Sequence, residues 1–336
     1  GIEIHTRDQL MPVQERFCEV KGVSAIVYVQ TCAAEKRRRR KKGTFPDPDQ
    51  RVFINPDVCE GCGDCSVQSN CVSIVPLETE LGTKRAIDQS SCNKDFSCVK
   101  GFCPSFVTVR GGKVRRATAA GFTVPALPEP TLPAIRRTHN TVLTGVGGTG
   151  VVTVGAVLAM AAHLDGKGAG MMEMAGLAQK GGAVHIHLRI AAQPSDISAI
   201  RVATGEADCV IGGDLVVTAG ARTLGLMTDG RTGAVVNSHE IVTGDFTRNR
   251  DFHLPAARLR LSLEARLRDR VRFLDASRLA ERLLGDSIYS NMVVLGAAWQ
   301  QGHLPLSHAA ILQAIELNGT AVKGNQRAFE IGRWAM

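Results

Sequence analysis

A chain of 336 residues with 44% apolar content is long enough for two or three domains with real cores. Its net charge of +8 is concentrated, because residues 36–42 are all Lys or Arg. No apolar stretch reaches the roughly 20 residues of a membrane helix, and the basic run lacks the interleaved aromatics of a nucleic-acid groove, so neither a membrane nor a nucleic acid is an expected partner.

The first region, residues 1–45, opens with Thr6 or Asp8 as helix cap. An amphipathic helix then runs through Leu10, Val13, Phe17 and Val20 and stops near Gly22. Residues 23–30 are apolar and β-branched and read as a buried strand. One helix and one strand cannot bury a core alone, so the region reads as the tail of a larger domain. Cys18 reads as a buried thiol, and Cys32 as a candidate ligand whose partners lie elsewhere. The basic run reads as a solvated segment making local ion pairs, with a docking patch for an acidic partner as the alternative.

Residues 46–112 hold seven of the ten cysteines. Cys59, Cys62 and Cys65 form a C-x2-C-x2-C loop, followed by Cys71, Cys92, Cys98 and Cys103, with Pro104 after the last. Three thiolates on one tight loop suit three corners of a cubane iron–sulfur cluster, with the fourth ligand from a remote cysteine, often one before proline. Cys103 is the expected fourth ligand of the first cluster. Cys71, Cys92 and Cys98 offer a second cluster only three thiolates, and Val72 stands where the proline is usual. A second cluster therefore needs a non-cysteine ligand such as Asp95, or does not form. Zinc is the alternative, but zinc favours two separated pairs. Disulfides fit poorly with clustered cysteines, and a reducing cytoplasm fits better.

Residues 113–137 are proline-rich and read as a semi-extended linker. Residues 138–336 begin with a strand at 140–144, a Gly145-Val-Gly-Gly-Thr-Gly150 loop and an apolar helix at 151–162. That order opens a Rossmann-like α/β unit. Further strands are expected at 183–190, 209–212 and 233–237, and the pattern turns helical after Pro255, with Leu259, Leu263, Leu267, Leu279, Leu283 and Leu284 at helical spacing. Gly145, Gly147, Gly148 and Gly150 are candidate phosphate-cradling positions, and Glu173 a candidate ribose-binding acid. The other reading of these glycines is a tight turn with close helix–strand packing. Gln179 and Lys180, flanked by glycines, are candidate anion contacts or an exposed turn. His185 and His187 share one strand face and read as packing residues, and Cys209 as a buried thiol. No internal repeat is evident. The expected fold is α/β: a small ferredoxin-like iron–sulfur module followed by a Rossmann-like domain.

Residues 145–152 and 176–182, with the ending Leu317-Asn-Gly-Thr-Ala-Val-Lys-Gly-Asn-Gln-Arg-Ala-Phe329, resemble the gamma domain of 2-oxoacid:ferredoxin oxidoreductases. Residues 28–40 and 58–107 resemble the long fused bacterial indolepyruvate ferredoxin oxidoreductases. The resemblance implies oxidative decarboxylation of aryl 2-oxoacids with thiamine diphosphate and coenzyme A, giving acyl-CoA, CO2 and reduced ferredoxin through [4Fe–4S] clusters. It also implies a cytoplasmic oligomer, with residues 1–45 as the tail of a thiamine diphosphate-binding domain and the chain as a C-terminal portion, inactive alone. The thiamine signature, Gly-Asp-Gly followed by Asn-Asn, is not among these residues. Two other readings remain: an iron–sulfur flavin or nicotinamide oxidoreductase whose glycine loop binds a dinucleotide, and a non-catalytic electron-carrier subunit.

Overall fold

The computed structural model describes residues 2–112, 122–147, 149–175, 182–241, 249 and 252–336. The chain divides into two compact units, Gly1–Asp47 and Pro48–Met336.

In the first unit, Gln9 Oε1 accepts the Thr6 backbone N–H at 3.1 Å, closing a capping box ahead of helix α1, Leu10–Cys18. Residues 23–30 do not form the expected strand. They pair with no strand, with Val27 85% and Val29 90% exposed, so their β-branched side chains have no neighbouring strand to pack against. The basic run is helical instead: α2 spans Ala33–Lys41. Glu35 pairs with Arg38 at 3.2 Å and Arg39 at 3.0 Å, one turn away. The arginines crowd the last turn, where the helix dipole favours cations. Cys18 is exposed, not buried, because the short helix α1 buries no residue at all.

The second unit opens with strand β1 (Gln50–Ile54), helix α3 (Asp64–Ser69), the hairpin β2 (Ile74–Thr79) and β3 (Gly82–Ile87), and β4 (Phe106–Arg110). β1 and β4 pair antiparallel, from Gln50 opposite Arg110 to Ile54 opposite Phe106. Segments up to 60 residues apart thus pair across the cysteine loops between them. Val52, Ile54 and Ile74 are buried, and so is Arg85 on β3.

The larger part runs β5 (Thr138–Val146), α4 (Val151–Leu164), β6 (Gly168–Ala175), β7 (Ala183–Ala191), β8 (Cys209–Gly212), α5 (Leu215–Thr218), α6 (Ala221–Leu224), β9 (Gly233–Asn237), α7 (Ala256–Leu267), β10 (Val271–Leu274) and α8 (Ala276–Leu284). It ends in α9 (Ser290–Gln300), α10 (His308–Asn318) and α11 (Val322–Trp334). Among the described residues one sheet has the order β10-β9-β8-β5-β7-β6. β10, β9, β8 and β5 are parallel, and β7 lies antiparallel between β5 and β6. The α/β class is as the sequence implies, but the strand after α4 does not settle beside β5, as it would in a simple Rossmann unit, because β7 takes that place.

Helix α9 lies in the core. Residues Ser290 through Trp299 are all buried. Gly296 on α9 faces Phe329 on α11, and Gly332 on α11 faces Val293 on α9, so the backbones of the two helices touch where side chains are missing. The described part of the proline-rich stretch, residues 122–137, has no helix or strand and is fastened down. Arg327 and Gln300 donate to the carbonyls of Phe122 and Pro128 at 3.0 and 2.9 Å, and Phe122 meets Trp334 edge-on.

Candidate functional site

Two regions carry candidate chemistry, and the first is the set of cysteine loops. Cys59, Cys62 and Cys65 lie on the turn after β1 and at the start of α3. Gly61 and Gly63 between them have φ of +71° and +79°. A side chain on Gly61 would strike the Thr83 carbonyl of the β2–β3 hairpin, so this position requires glycine for both its angle and its space. The Gly61 N–H points at Cys59 Sγ, 3.4 Å away.

All ten cysteines are free thiols. Cys65 lies within electrostatic reach of Cys59 and Cys103, and Cys98 of Cys71 and Cys92. The grouping is compatible with a crossed exchange of remote ligands, while Cys62 lies exposed on the first loop. Burial pushes the Cys65 and Cys92 thiols up and Cys98 up to about 12. Thiols so placed are poor nucleophiles, and a soft cation is the partner that would deprotonate them. Buried Arg85 lies beside Cys65 and works in the same direction. Among the described residues no three His, Cys, Asp or Glu side chains converge tightly enough to hold a single metal ion. A cubane asks for a looser arrangement, since each thiolate binds a different iron. Soft donors, N–H groups aimed at sulfur and a buried guanidinium fit such a group.

Cys32 belongs to the other compact unit. Ser90 of the cysteine region donates to Asp286 Oδ1 at 2.8 Å, joining that region to the turn before α9.

The second region is the glycine loop, at the C-terminal end of β5. Gly148, Gln179 and Lys180 lie outside the described residues. Gly147 donates its N–H to Gly182 O at 2.7 Å, and Gly150 (φ +89°) is the N-cap of α4. A Cβ at Gly145 would strike Val151, and one at Gly150 would strike Asn291. Asn291, on α9, donates its side-chain N–H to Thr149 O. Asp214, capping α5 through Val217 N–H at 2.8 Å, is buried beside the loop, and burial raises its pKa. Its Oδ2 sits near the N–H groups of Val146 and Val216 without a well-aligned hydrogen bond. The cavity here is about 10 Å3, lined by Leu143, Thr144, Val151, Gly213 and Asn291, which is room for one water at most.

The described glycines therefore serve close packing. Glu173 lies in mid-strand on β6, opposite Ile186, with β7 between it and β5. It is not beside the glycine loop, and the dinucleotide reading loses its ribose contact.

His185 and His187 do share a face of β7 and are packing residues. His185 Nε2 meets Thr223 Oγ1 at 3.2 Å, and Val202 donates its N–H to His187 Nδ1 at 2.9 Å. Burial lowers the His187 pKa to about 4. Cys209 is fully buried, as expected. Arg85, Asp214 and Asn291 were not signalled in the sequence, although Gly212-Gly213-Asp214 at a strand end is a capping pattern.

Residues 140–335 match the family model for pyruvate ferredoxin/flavodoxin oxidoreductase. The chain is 27% identical over 195 residues to the indolepyruvate oxidoreductase subunit IorB of Archaeoglobus fulgidus, spanning 57% of this chain and 92% of that protein. It is 28% identical over 196 residues to the same subunit of Methanothermobacter thermautotrophicus, spanning 58% of this chain and 95% of that protein. Among solved structures it is similar to the keto/oxoacid ferredoxin oxidoreductase gamma subunit of Geobacter sulfurreducens, at 20% identity and TM-score 0.41, covering 58% of this chain and 96% of that one. By class the α/β part is a subunit of a 2-oxoacid:ferredoxin oxidoreductase. The chain belongs to the pyruvate ferredoxin/flavodoxin oxidoreductase family.

Proposed function

We propose that this chain is the electron-transfer and gamma portion of an enzyme that oxidatively decarboxylates aryl 2-oxoacids of the indolepyruvate kind. One observation carries the reading: a family-defining α/β domain shares one compact unit with two groups of neighbouring, mostly half-buried thiols. Cys59, Cys62, Cys65 and Cys103 would hold a [4Fe–4S] cluster, which supplies one-electron acceptance when bound. Decarboxylating a 2-oxoacid anion onto the coenzyme A thiol releases CO2, two electrons and a proton. Single-electron carriers must then take the electrons in turn, and ferredoxin is the acceptor that the family name implies.

The chain's own residues hold the arrangement in place. Arg85 offsets negative charge beside Cys65, and the Gly61 N–H faces the Cys59 sulfur. The β1–β4 pairing ties together the two ends of the segment that carries the loops. Thiamine diphosphate would be bound by a partner portion, with the assembly working in the reducing cytoplasm. The described glycines of the loop, Gly145, Gly147 and Gly150, are assigned packing.

The test is anaerobic purification followed by iron and sulfide analysis, then addition of the thiamine-binding portion, an aryl 2-oxoacid and coenzyme A. A brown protein whose visible absorbance bleaches only with the complete mixture is the expected result. A colourless protein carrying zinc would overturn the proposal.

A further inference from the structure

The two cysteine loops are conformational copies of one another, although their sequences conceal it. In the first loop, taking Cys59 as the start, positions two and four further on are Gly61 and Gly63, both left-handed. In the second, taking Cys92 as the start, the same positions are Lys94 and Phe96, with φ of +52° and +58°. Left-handed backbone costs a non-glycine residue roughly 1 kcal/mol, so two such residues at matching steps are not incidental. The sulfur contact repeats too: Gly61 N–H to Cys59 Sγ and Lys94 N–H to Cys92 Sγ are both 3.4 Å. Each loop ends at a half-buried cysteine, Cys65 or Cys98, at a helical turn, Asp64–Ser69 or Ser97–Val99. Each has an exposed residue in the middle, Cys62 in the first and Asp95 in the second.

We infer that Asp95 takes the place of the missing thiolate, so that Cys71, Cys92, Cys98 and the Asp95 carboxylate together hold a second iron–sulfur cluster. The inference rests on the iron–sulfur reading above and completes its ligand count. Asp95 lies within electrostatic reach of both Cys92 and Cys98. Its Oδ1 accepts from Ser97 N–H at 3.3 Å and Ser97 O–H at 3.1 Å. Its Oδ2 has no hydrogen-bond partner among the described residues. One oxygen thus fixes the turn and the other stays available. A carboxylate is a harder donor than a thiolate and holds its iron less firmly. The second cluster is therefore the one that gives up an iron under mild oxidation.

The test uses the full polypeptide, purified anaerobically, with iron analysis and electron paramagnetic resonance. Wild type is expected to hold about eight irons and to show a three-iron signal after brief oxidation. Asp95→Asn keeps the acceptor for Ser97 and loses the carboxylate, so it shows that signal as isolated, with about one iron fewer. Asp95→Cys keeps all the iron and resists oxidation. About four irons in wild type, unchanged in Asp95→Asn but lost in Cys59→Ala, would overturn the Asp95 assignment while leaving the first cluster. An iron-free wild type would overturn both readings together.

Discussion

Gly332→Ala is the sharpest test of how the core is built. Gly332 on α11 lies against the Val293 carbonyl and Ala297 nitrogen of α9, so an added methyl meets backbone, which has no rotamer to yield. The two helices must separate, and α9 is buried along Ser290 to Trp299. Overpacking a close-packed core costs about 1–3 kcal/mol, and a backbone obstacle belongs at the top of that range or above it. Alanine returns about 1 kcal/mol of helix propensity, leaving a net loss of about 2 kcal/mol or more. For a domain of this size that lowers the melting temperature by roughly 4–8 °C. Gly296→Ala, against the Phe329 carbonyl of the same helix pair, demands the same separation. The double variant should therefore lose less than the sum of the singles, with a coupling of about 1 kcal/mol or more. Thermal denaturation of the three variants followed by circular dichroism measures both numbers. Single variants within about 0.5 kcal/mol of wild type, or strict additivity, would refute the helix contact.

Burial lowers His139, His187 and His303 to about 4, so only the unfolded chain takes up these protons as pH falls from 6.5 toward 4. Stability should fall through that window by about 1–3 kcal/mol per histidine and then level off. Urea midpoints across the window check it, and His187→Gln should flatten the slope. Trp299→Phe removes the indole N–H from the Leu306 carbonyl at 2.7 Å and the stacked Arg333 guanidinium at 4.8 Å. A loss of about 2 kcal/mol is expected by denaturant titration, with a Leu→Met change at the surface as control. Arg85→Gln withdraws positive charge from beside Cys65, so redox titration should show the first cluster harder to reduce, with no change in iron content.

Much of the α/β part was legible because its signals are local. β8 and β9 carry short buried apolar runs with the expected bounds, and Leu263 and Leu267 mark the buried face of α7. β6 escaped notice because Gly168 and Gly170 dilute its pattern, and only the folded chain shows Pro194, Ile197 and Ile200 occupying the space beside them. β10, with four residues between two helices, is too short to show a period. The run at 23–30 misled in the opposite sense, since strand propensity without a partner makes no strand. At the cysteine loops the spacing of sulfurs was plain, but the repeat was hidden by Lys94 and Phe96. Backbone handedness is inferred from glycine, and these two residues adopt it without being glycine.

Those two residues set a spring in the second loop. The twist is held by the Lys94 N–H on Cys92 Sγ and by Lys94 Nζ on the Pro48 carbonyl at 3.0 Å, and iron bound at Cys92 and Cys98 would add its grip to theirs. Stripping the chain of iron with a chelator should let residues 92–98 relax before anything else melts, which hydrogen exchange would register as early local opening. The first loop, made with glycine at the corresponding steps, stores no such tension and should keep its shape longer.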